Sequence, residues 1–536
     1  MPEPQVFLVG AGPGNPGLLT LRAVECLRQA DLVLYDRLVA PALLDHAPPG
    51  AERACVTELA GNHPERVPQV HEAMIRAARA GRRVVRLKGG DPCIFGRVGE
   101  EAAALRQASI SFEIVPGVTA ALGAAAYAGI PLTHRRSSSA VALVTGHECA
   151  GKSGSALEWP ALARFPGTLV FYMAVGHLEE IVRALIAEGK APDTPSAVIR
   201  QATLGCQRTV TAPLVGLPAA ARAAGIAAPA LAVIGSVVAL RDSVAWFERQ
   251  PLFGRGVLVT RPAHQSGELV RRLEELGAIP YVLPAVEVRE PADWAPVDAV
   301  LANLQCYHWL VFTSSNGVHA LIRRLRQTGR DLRALGSLKL AVIGPSTAAA
   351  LGGYFLEPDF MPATYNSEAL AAGLIERAAG RRVLLARADR GRDVLREELA
   401  RAVTVDQVAV YSQVDRIDAD PAVLDALRRG DIRYVTLTSS NIARSLARMA
   451  DESVRNHLRS GAVKLVTISG VTSQDVRALG WPVAAEAKEA TTEGVVAALV
   501  ALAERENQSA EVAQGVPAEE QHEAAGEDAE NVHRSA

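Results

Sequence analysis

Two short runs near the start of the chain hold residue types suited to gripping a small ligand. The first is Val9-Gly10-Ala11-Gly12-Pro13-Gly14-Asn15-Pro16-Gly17, and the second is Arg86-Leu87-Lys88-Gly89-Gly90-Asp91-Pro92. Each follows an apolar stretch and precedes a helical period. Glycines at the carboxyl end of a strand let backbone amides approach a ligand closely. Asp91 adds a carboxylate that can accept hydrogen bonds from a cationic or hydroxylated ligand. The dinucleotide fingerprint G-x-G-x-x-G would need glycine where Asn15 stands, and Pro13 removes an amide donor. A nicotinamide site is therefore disfavoured, while a ligand-free structural turn stays open.

The elements that must hold these runs alternate strand and helix. Apolar runs predict strands at 6–9, 32–35, 83–87 and 112–115, with helical periods at 18–29, 68–80 and 100–107. Pro116-Gly117 breaks this first lobe. A second lobe follows, with strands near 141–145, 168–173, 196–199 and 231–234. The class is α/β with mostly parallel sheets. Periodicity lapses around 246–256, which divides the chain into domains 1–250 and 253–505. The segment 506–536 is acidic and free of aromatic residues, so a disordered tail is expected.

Composition excludes several classes. Of 536 residues 49% are hydrophobic, enough for large cores, and a net charge of -2 argues against a general nucleic-acid binder. No apolar run reaches the roughly 18 residues of a membrane span, and no signal peptide is visible. The six cysteines form no C-x-x-C pair, which suggests reduced thiols in the cytoplasm. His63, His71, His134 and His147 do not fall at ligand spacing, so no metal is expected.

The second half repeats itself. Trp309-Leu-Val-Phe-Thr-Ser-Ser-Asn316 echoes Tyr434-Val-Thr-Leu-Thr-Ser-Ser-Asn441, an offset of 125 positions. Lys339-Leu-Ala-Val-Ile-Gly344 echoes Lys464-Leu-Val-Thr-Ile-Ser469 at the same offset, and Val257-Leu-Val-Thr-Arg261 echoes Val383-Leu-Leu-Ala-Arg387 at 126. A unit this long is a duplicated α/β lobe, not a solenoid repeat, and two such lobes would face each other across a cleft.

Five segments of the first half occur in a telling order: G-A-G-P-G-N-P-G-L-L-T-L-R-A, A-D-L-V-L-Y-D-R-L-V, V-V-R-L-K-G-G-D-P, V-P-G-V-T-A-A and Y-A-G-I-P-L-T-H-R. Together they resemble the tetrapyrrole methylases, most closely uroporphyrinogen-III C-methyltransferase. The resemblance implies a two-lobed fold and two methyl transfers from S-adenosyl-methionine to uroporphyrinogen III. It implies that Pro13, Gly89, Gly90, Asp91, Ile94, Thr119, Ala120 and Met173 hold the methyl donor. Ala202 matches a further donor-binding position that is usually glycine. Asp36 matches the family's proton acceptor, with an ordinary strand-end acid paired to Arg37 as the plainer reading. The family's proton-donating lysine falls at Glu58. Cys93 and Val98 replace a usual phenylalanine and glycine. A homodimer formed through this domain is typical of the family.

In the second half, V-L-V-T-R-P, F-T-S-S-N-G-V, A-V-I-G-P-S-T-A and A-T-T-E-G resemble uroporphyrinogen-III synthase. This implies closure of hydroxymethylbilane with inversion of one ring, in a two-lobed fold. The lobes would be 253–285 with 413–503, and 286–412, the chain crossing near Pro284 and Tyr411. Tyr411 and Thr472 match substrate-handling positions, with Ser314 and Ser439 as weaker candidates. For all four, a cap or turn role is an equal reading. Arg261, Arg387 and Arg390 could pair substrate carboxylates. The rival reading is a methylase of a later corrin intermediate with a tetrapyrrole-sensing second half.

Overall fold

The structure is a computed structural model that describes residues 5–57, 67–146, 157–391, 393–416 and 418–513. It divides into two units, Met1–Gly254 with Leu276–Ile279, and Arg255–Glu275 with Pro280–Ala536.

In the first unit, β1 (Val6–Gly10), β2 (Leu32–Tyr35), β3 (Glu52–Cys55), β4 (Val84–Lys88) and β5 (Phe112–Val115) form one sheet in the order β3-β2-β4-β1-β5. Every pairing in it is parallel. β1 and β4 are buried along their whole length, as strands covered on both faces must be. The chain leaves β1 across β4 to reach β2, and leaves β4 across β1 to reach β5. The sheet's switch point thus lies between β1 and β4, where α/β sheets open a ligand crevice. Both glycine runs emerge there. The helix expected over 18–29 is two pieces, a 3₁₀ turn at Pro16–Leu18 and a helix at Leu21–Arg28. Asn15 caps the first by accepting from the Gly17 amide at 2.8 Å, and Thr20 caps the second through Ala23 at 3.2 Å.

Parallel pairing prevails across the chain as expected, and the second lobe is the exception. β6 (Val141–Thr145), β7 (Thr168–Tyr172), β8 (Pro195–Arg200), β9 (Arg208–Pro213) and β10 (Ala230–Ile234) are ordered β6-β7-β10-β8-β9. Only β6 and β7 run parallel; the other three pairings are antiparallel. The short loop 201–207 joins β8 to β9, and only antiparallel neighbours can be joined so briefly. β9 is an edge strand with no fully buried residue, so it shows no apolar run in the sequence.

The second unit contains two sheets. One has the order β12 (Ile279–Val282), β11 (Gly256–Val259), β18 (Ile432–Leu437), β19 (Lys464–Thr467), β20 (Val483–Glu486). The other has the order β13 (Val286–Arg289), β17 (Thr404–Asp415), β16 (Arg382–Ala388), β14 (Trp309–Phe312), β15 (Lys339–Val342). The internal repeat is reproduced residue by residue. Val257 pairs with Tyr434 and Tyr434 with Lys464; the repeat partners Val383, Trp309 and Lys339 pair in the same way. Where the first sheet adds β20, the second keeps a single parallel bridge from Ala341 to Phe360. The chain changes lobe at the antiparallel pair β13–β17. Leu283, Ala285 and Val286 pack into one lobe's core, whereas Val408, Val410 and Tyr411 pack into the other.

The helix Thr492–Ala513 continues past the point where a tail was expected to begin. Glu506 on this helix lies 2.7 Å from Arg255 and 2.8 Å from both Arg433 and Lys464, and accepts from the Tyr434 hydroxyl at 2.8 Å. A boundary at 506 is therefore too early. Residues 514–536 lie outside the described residues.

Candidate active sites

At the switch point of the first unit, three loops touch through glycine. Gly12 and Gly90 exchange backbone hydrogen bonds of 3.1 and 2.8 Å. A Cβ on Gly117 would stand 2.4 Å from the Gly90 carbonyl oxygen, and one on Gly10 would stand 2.6 Å from the Gly117 amide nitrogen. Only residues without side chains permit this approach. Asp91 fastens the arrangement. Its Oδ1 accepts from the Cys93 amide at 2.8 Å and its Oδ2 from the Gly117 amide at 2.9 Å. The Oδ1 bond closes the turn after β4 and the Oδ2 bond ties that turn to the loop after β5, so Asp91 has a structural duty beside the ligand contact expected of it.

The surrounding loops bring the other expected residues to the same crevice. Pro13 packs on the helix Ala120–Ala128, where a Cβ on Gly123 would meet its ring at 2.6 Å. Thr119 precedes that helix, and its Oγ1 lies 2.7 Å from the Tyr172 hydroxyl, which also accepts from the Ala121 amide at 3.0 Å. Met173 follows β7 with φ 55° and is 52% exposed, an uncommon combination for an unbranched apolar side chain. Ile94 is half-buried against the second lobe's core. Ala202 sits between Gln201 at φ 47° and Thr203 at φ 74°. The left-handed turns fall on its neighbours, which is why alanine can stand where the family usually has glycine. Thr203 is tied in place, accepting from the Asn15 amide at 2.9 Å while its own amide donates to Gln207 at 2.9 Å.

Asp36 stands at the end of β2 beside this crevice, and its partner is not Arg37. Arg86 on β4 donates to Asp36 Oδ1 at 2.5 Å and to Glu101 at 3.0 Å, and the Gly89 amide approaches Asp36 Oδ2 at 3.4 Å. Lys88 completes the chain, donating to both Glu101 oxygens at 2.8 and 2.9 Å. Arg86, Lys88 and Glu101 are each at most 5% exposed, whereas the Asp36 side chain is 32% exposed. Burial pushes the Lys88 ammonium below its usual range and Arg86 adds to this, with Glu101 opposing. One acid therefore faces the crevice while two cations and one acid are sealed behind it, and Asp36 is the second carboxylate that balances the buried pair of cations. Glu58 lies outside the described residues.

In the second unit, a cleft of about 600 Å³ opens between the lobes. Four arginines line it, Arg387 and Arg390 from one lobe and Arg444 and Arg448 from the other, against a single acid, Asp415. Ser439 also lines it, and its hydroxyl caps the following helix by accepting from Ile442 at 3.3 Å. Ser314 does the same for Gly317 at 3.1 Å and lies 2.9 Å from the Tyr411 hydroxyl. Tyr411 is 5% exposed, and burial pushes its phenol up. It can donate a hydrogen bond at neutral pH but is a poor base there. Thr472 is buried in the first turn of helix Gly470–Ala478, its hydroxyl 3.3 Å from that of Ser469. Arg261 donates to Thr492 at 2.8 Å and is not among the cleft-lining residues.

Sequence reasoning missed Arg86, Glu101, Tyr172, Arg444 and Arg448. Arg86 and Lys88 alternate along β4, a spacing that puts both on one face of the strand, and this was the available signal. Among the described residues no group of histidine, cysteine, aspartate and glutamate is placed to hold a metal, and no helix is long and apolar enough to cross a membrane.

Comparison with known proteins gives two family matches. Residues 5–218 match the tetrapyrrole (corrin/porphyrin) methylases, and residues 267–497 match uroporphyrinogen-III synthase HemD. The porphyrin biosynthesis protein HemD of Ruminiclostridium josui is 36% identical over 451 residues, 83% of this chain and 89% of that protein. The uroporphyrinogen-III C-methyltransferase of Bacillus subtilis is 39% identical over 331 residues, 62% of this chain and 68% of that protein. The siroheme synthase of Chromobacterium violaceum is 49% identical over 244 residues, 46% of this chain. The chain spans only 52% of that enzyme's length.

Proposed function

The chain belongs to the family of HemD-type porphyrin biosynthesis proteins, in which a tetrapyrrole methylase precedes a uroporphyrinogen-III synthase, and from that premise we propose how its residues divide the work. It is a bifunctional enzyme of tetrapyrrole biosynthesis. Its second unit closes hydroxymethylbilane to uroporphyrinogen III, and its first methylates that product towards precorrin-2.

S-adenosyl-methionine is the donor and supplies an electrophilic methyl group on a sulfonium. The residues at the switch point fit it. The Gly10–Gly90–Gly117 contact presents backbone at close range, and Met173 and Ile94 offer an apolar wall. Pro13, Gly89, Asp91, Thr119, Ala120 and Ala202 shape the remainder of the cradle. Transfer of a methyl cation to a ring carbon leaves the macrocycle one positive charge in excess, which is relieved by loss of a proton from another position of the macrocycle, and Asp36 takes that proton. Arg86 fixes the orientation of that carboxylate, and Glu101 and Lys88 fix Arg86. Glu58, where the family has lysine, either shares a proton with Asp36 or is dispensable.

In the second unit the cleft's four arginines suit a ligand bearing many carboxylates. Tyr411 and Thr472 are assigned to substrate handling, Tyr411 as a hydrogen-bond donor paired with Ser314. On the strength of the resemblance, the enzyme is a homodimer joined through the methylase half and works in the cytoplasm. The free cysteines Cys26, Cys55, Cys93, Cys206 and Cys306 suit a reducing compartment.

The observation that carries the methylase reading is the convergence of three glycines and Asp91 at the switch point, with Asp36 beside it. Its test is methylation of added uroporphyrinogen III by the purified chain, followed by mass spectrometry. A doubly methylated product is expected, and unmethylated substrate after prolonged incubation with donor would overturn the reading.

A further inference from the structure

The single acid in the second unit's cleft sits where a substrate carboxylate would be most welcome. Asp415 ends β17, the strand through which the chain changes lobe. Its Oδ1 accepts from Arg390 Nη2 at 2.9 Å and from the Ser445 hydroxyl, and its Oδ2 accepts from Arg448 Nη1. Arg390 comes from the lobe built on β14–β16, and Ser445 and Arg448 from the helix Ser440–Met449 of the other lobe. Asn441, Arg444, Ser445 and Arg448 share one face of that helix at i, i+3, i+4 and i+7. All but Ser445 line the cleft. The arginines hold the Asp415 carboxyl at about 2, with the Arg390 hydrogen bond the largest cause. At any pH near neutrality the seat is therefore filled by a fixed anion.

We propose that Arg390, Arg448 and Ser445 form a carboxylate subsite of the synthase cleft, that Asp415 occupies it when substrate is absent, and that a substrate carboxylate displaces Asp415 to bind. This rests on the synthase reading of the second unit. Three observations support it. The donor set is a built anion site, two guanidinium groups and a hydroxyl directed at one carboxylate. The Arg448 side chain is 68% exposed, so it can turn to a ligand without leaving a buried charge. The cleft's lining sets four arginines against one acid, and although Arg444 also pairs with Asp475 and Arg387 lies 3.7 Å from Asp393, this excess of guanidinium groups attracts a polycarboxylate in competition with the internal acid. Asp415 thereby acts as an intramolecular competitor that sets affinity and disfavours ligands with too few carboxylates.

The experiment is steady-state closure of hydroxymethylbilane by the full-length chain without S-adenosyl-methionine, which reads the second unit alone. Asp415→Asn keeps the shape of the side chain and removes the competing charge, and should lower KM about two- to tenfold. Ser445→Ala removes one donor of the subsite and should raise KM by less than the loss of an arginine. Arg448→Gln should raise KM roughly fivefold or more. If Asp415→Asn fails to fold, Asp415→Ser takes its place, and a KM unmoved in both Arg448→Gln and Ser445→Ala would overturn the subsite. An Asp415→Asn protein that melts earlier with KM unmoved or raised would show that the pair only staples the lobes, and would overturn the subsite. If the unaltered chain does not close hydroxymethylbilane at all, the synthase reading itself falls, and the subsite with it.

Discussion

At the scale of single residues, Gly117 and Asp36 separate two duties of the first site. Gly117 makes the crevice possible, because any side chain there collides with the Gly90 carbonyl and the Gly10 backbone, neither of which can yield. Gly117→Ala should destabilise the fold by about 1–3 kcal/mol and abolish donor binding, read by thermal melting and by titration with S-adenosyl-methionine. A variant that binds donor normally would contradict the packing argument. Asp36 is instead the residue proposed to serve the chemistry. Asp36→Asn should lower single-turnover methylation of uroporphyrinogen III by roughly 10²–10⁴-fold with donor binding retained. Glu58→Gln should cost much less; the reverse order of effects would mean that the roles are exchanged. The glycines and Asp91 were legible in the sequence because their types admit few uses. The partner of Asp36 was not. Arg37 is its neighbour in sequence, but the parallel pairing of β2 with β4 brings Arg86 against it, and single-sequence reading does not resolve a pairing 50 positions away.

At the scale of elements, the closing helix Thr492–Ala513 is anchored by Glu506. Burial alone would raise its carboxyl, but the bonds from Lys464, Tyr434 and Arg433 overcome this and bring it from 4.5 to about 2. A carboxylate depressed in the folded state stabilises fully above its unfolded value and loses that contribution as pH falls through the folded one. With solvent screening allowed for, the difference in stability between the native chain and Glu506→Gln should thus be on the order of 1–2 kcal/mol at neutral pH. It should shrink between pH 4.5 and about 2. Denaturant melts at several pH values check this, and a gap that does not close on acidification would refute it. An acidic, aromatic-free composition hid the anchor, since nothing local shows that Arg255 just before β11, Arg433 and Tyr434 of β18 and Lys464 of β19 converge on one glutamate. The repeat was legible for the opposite reason. Strand, turn and helix recur at a fixed offset, and equal offsets in sequence became equal registers in the two sheets. β9 escaped because an edge strand with half-exposed residues has no pattern to read.

At the scale of the whole molecule, the two units have separate cores, and the described candidate residues of each proposed site fall within one unit. Division near residue 253 should therefore yield two soluble fragments, 1–250 and 253–513, each retaining its own activity. If neither is soluble while the intact chain is, the boundary is misplaced; the grouping of Leu276–Ile279 with the first unit marks where to look. The central claim is that one chain makes a macrocycle and then methylates it. Its most direct test is to give the purified full-length chain hydroxymethylbilane, with and without S-adenosyl-methionine, and identify the products by chromatography and mass spectrometry. The predicted result is uroporphyrinogen III without the donor and its doubly methylated derivative with it. Recovery only of a macrocycle closed without ring inversion, or of uroporphyrinogen III left unmethylated in the presence of donor, would contradict the account.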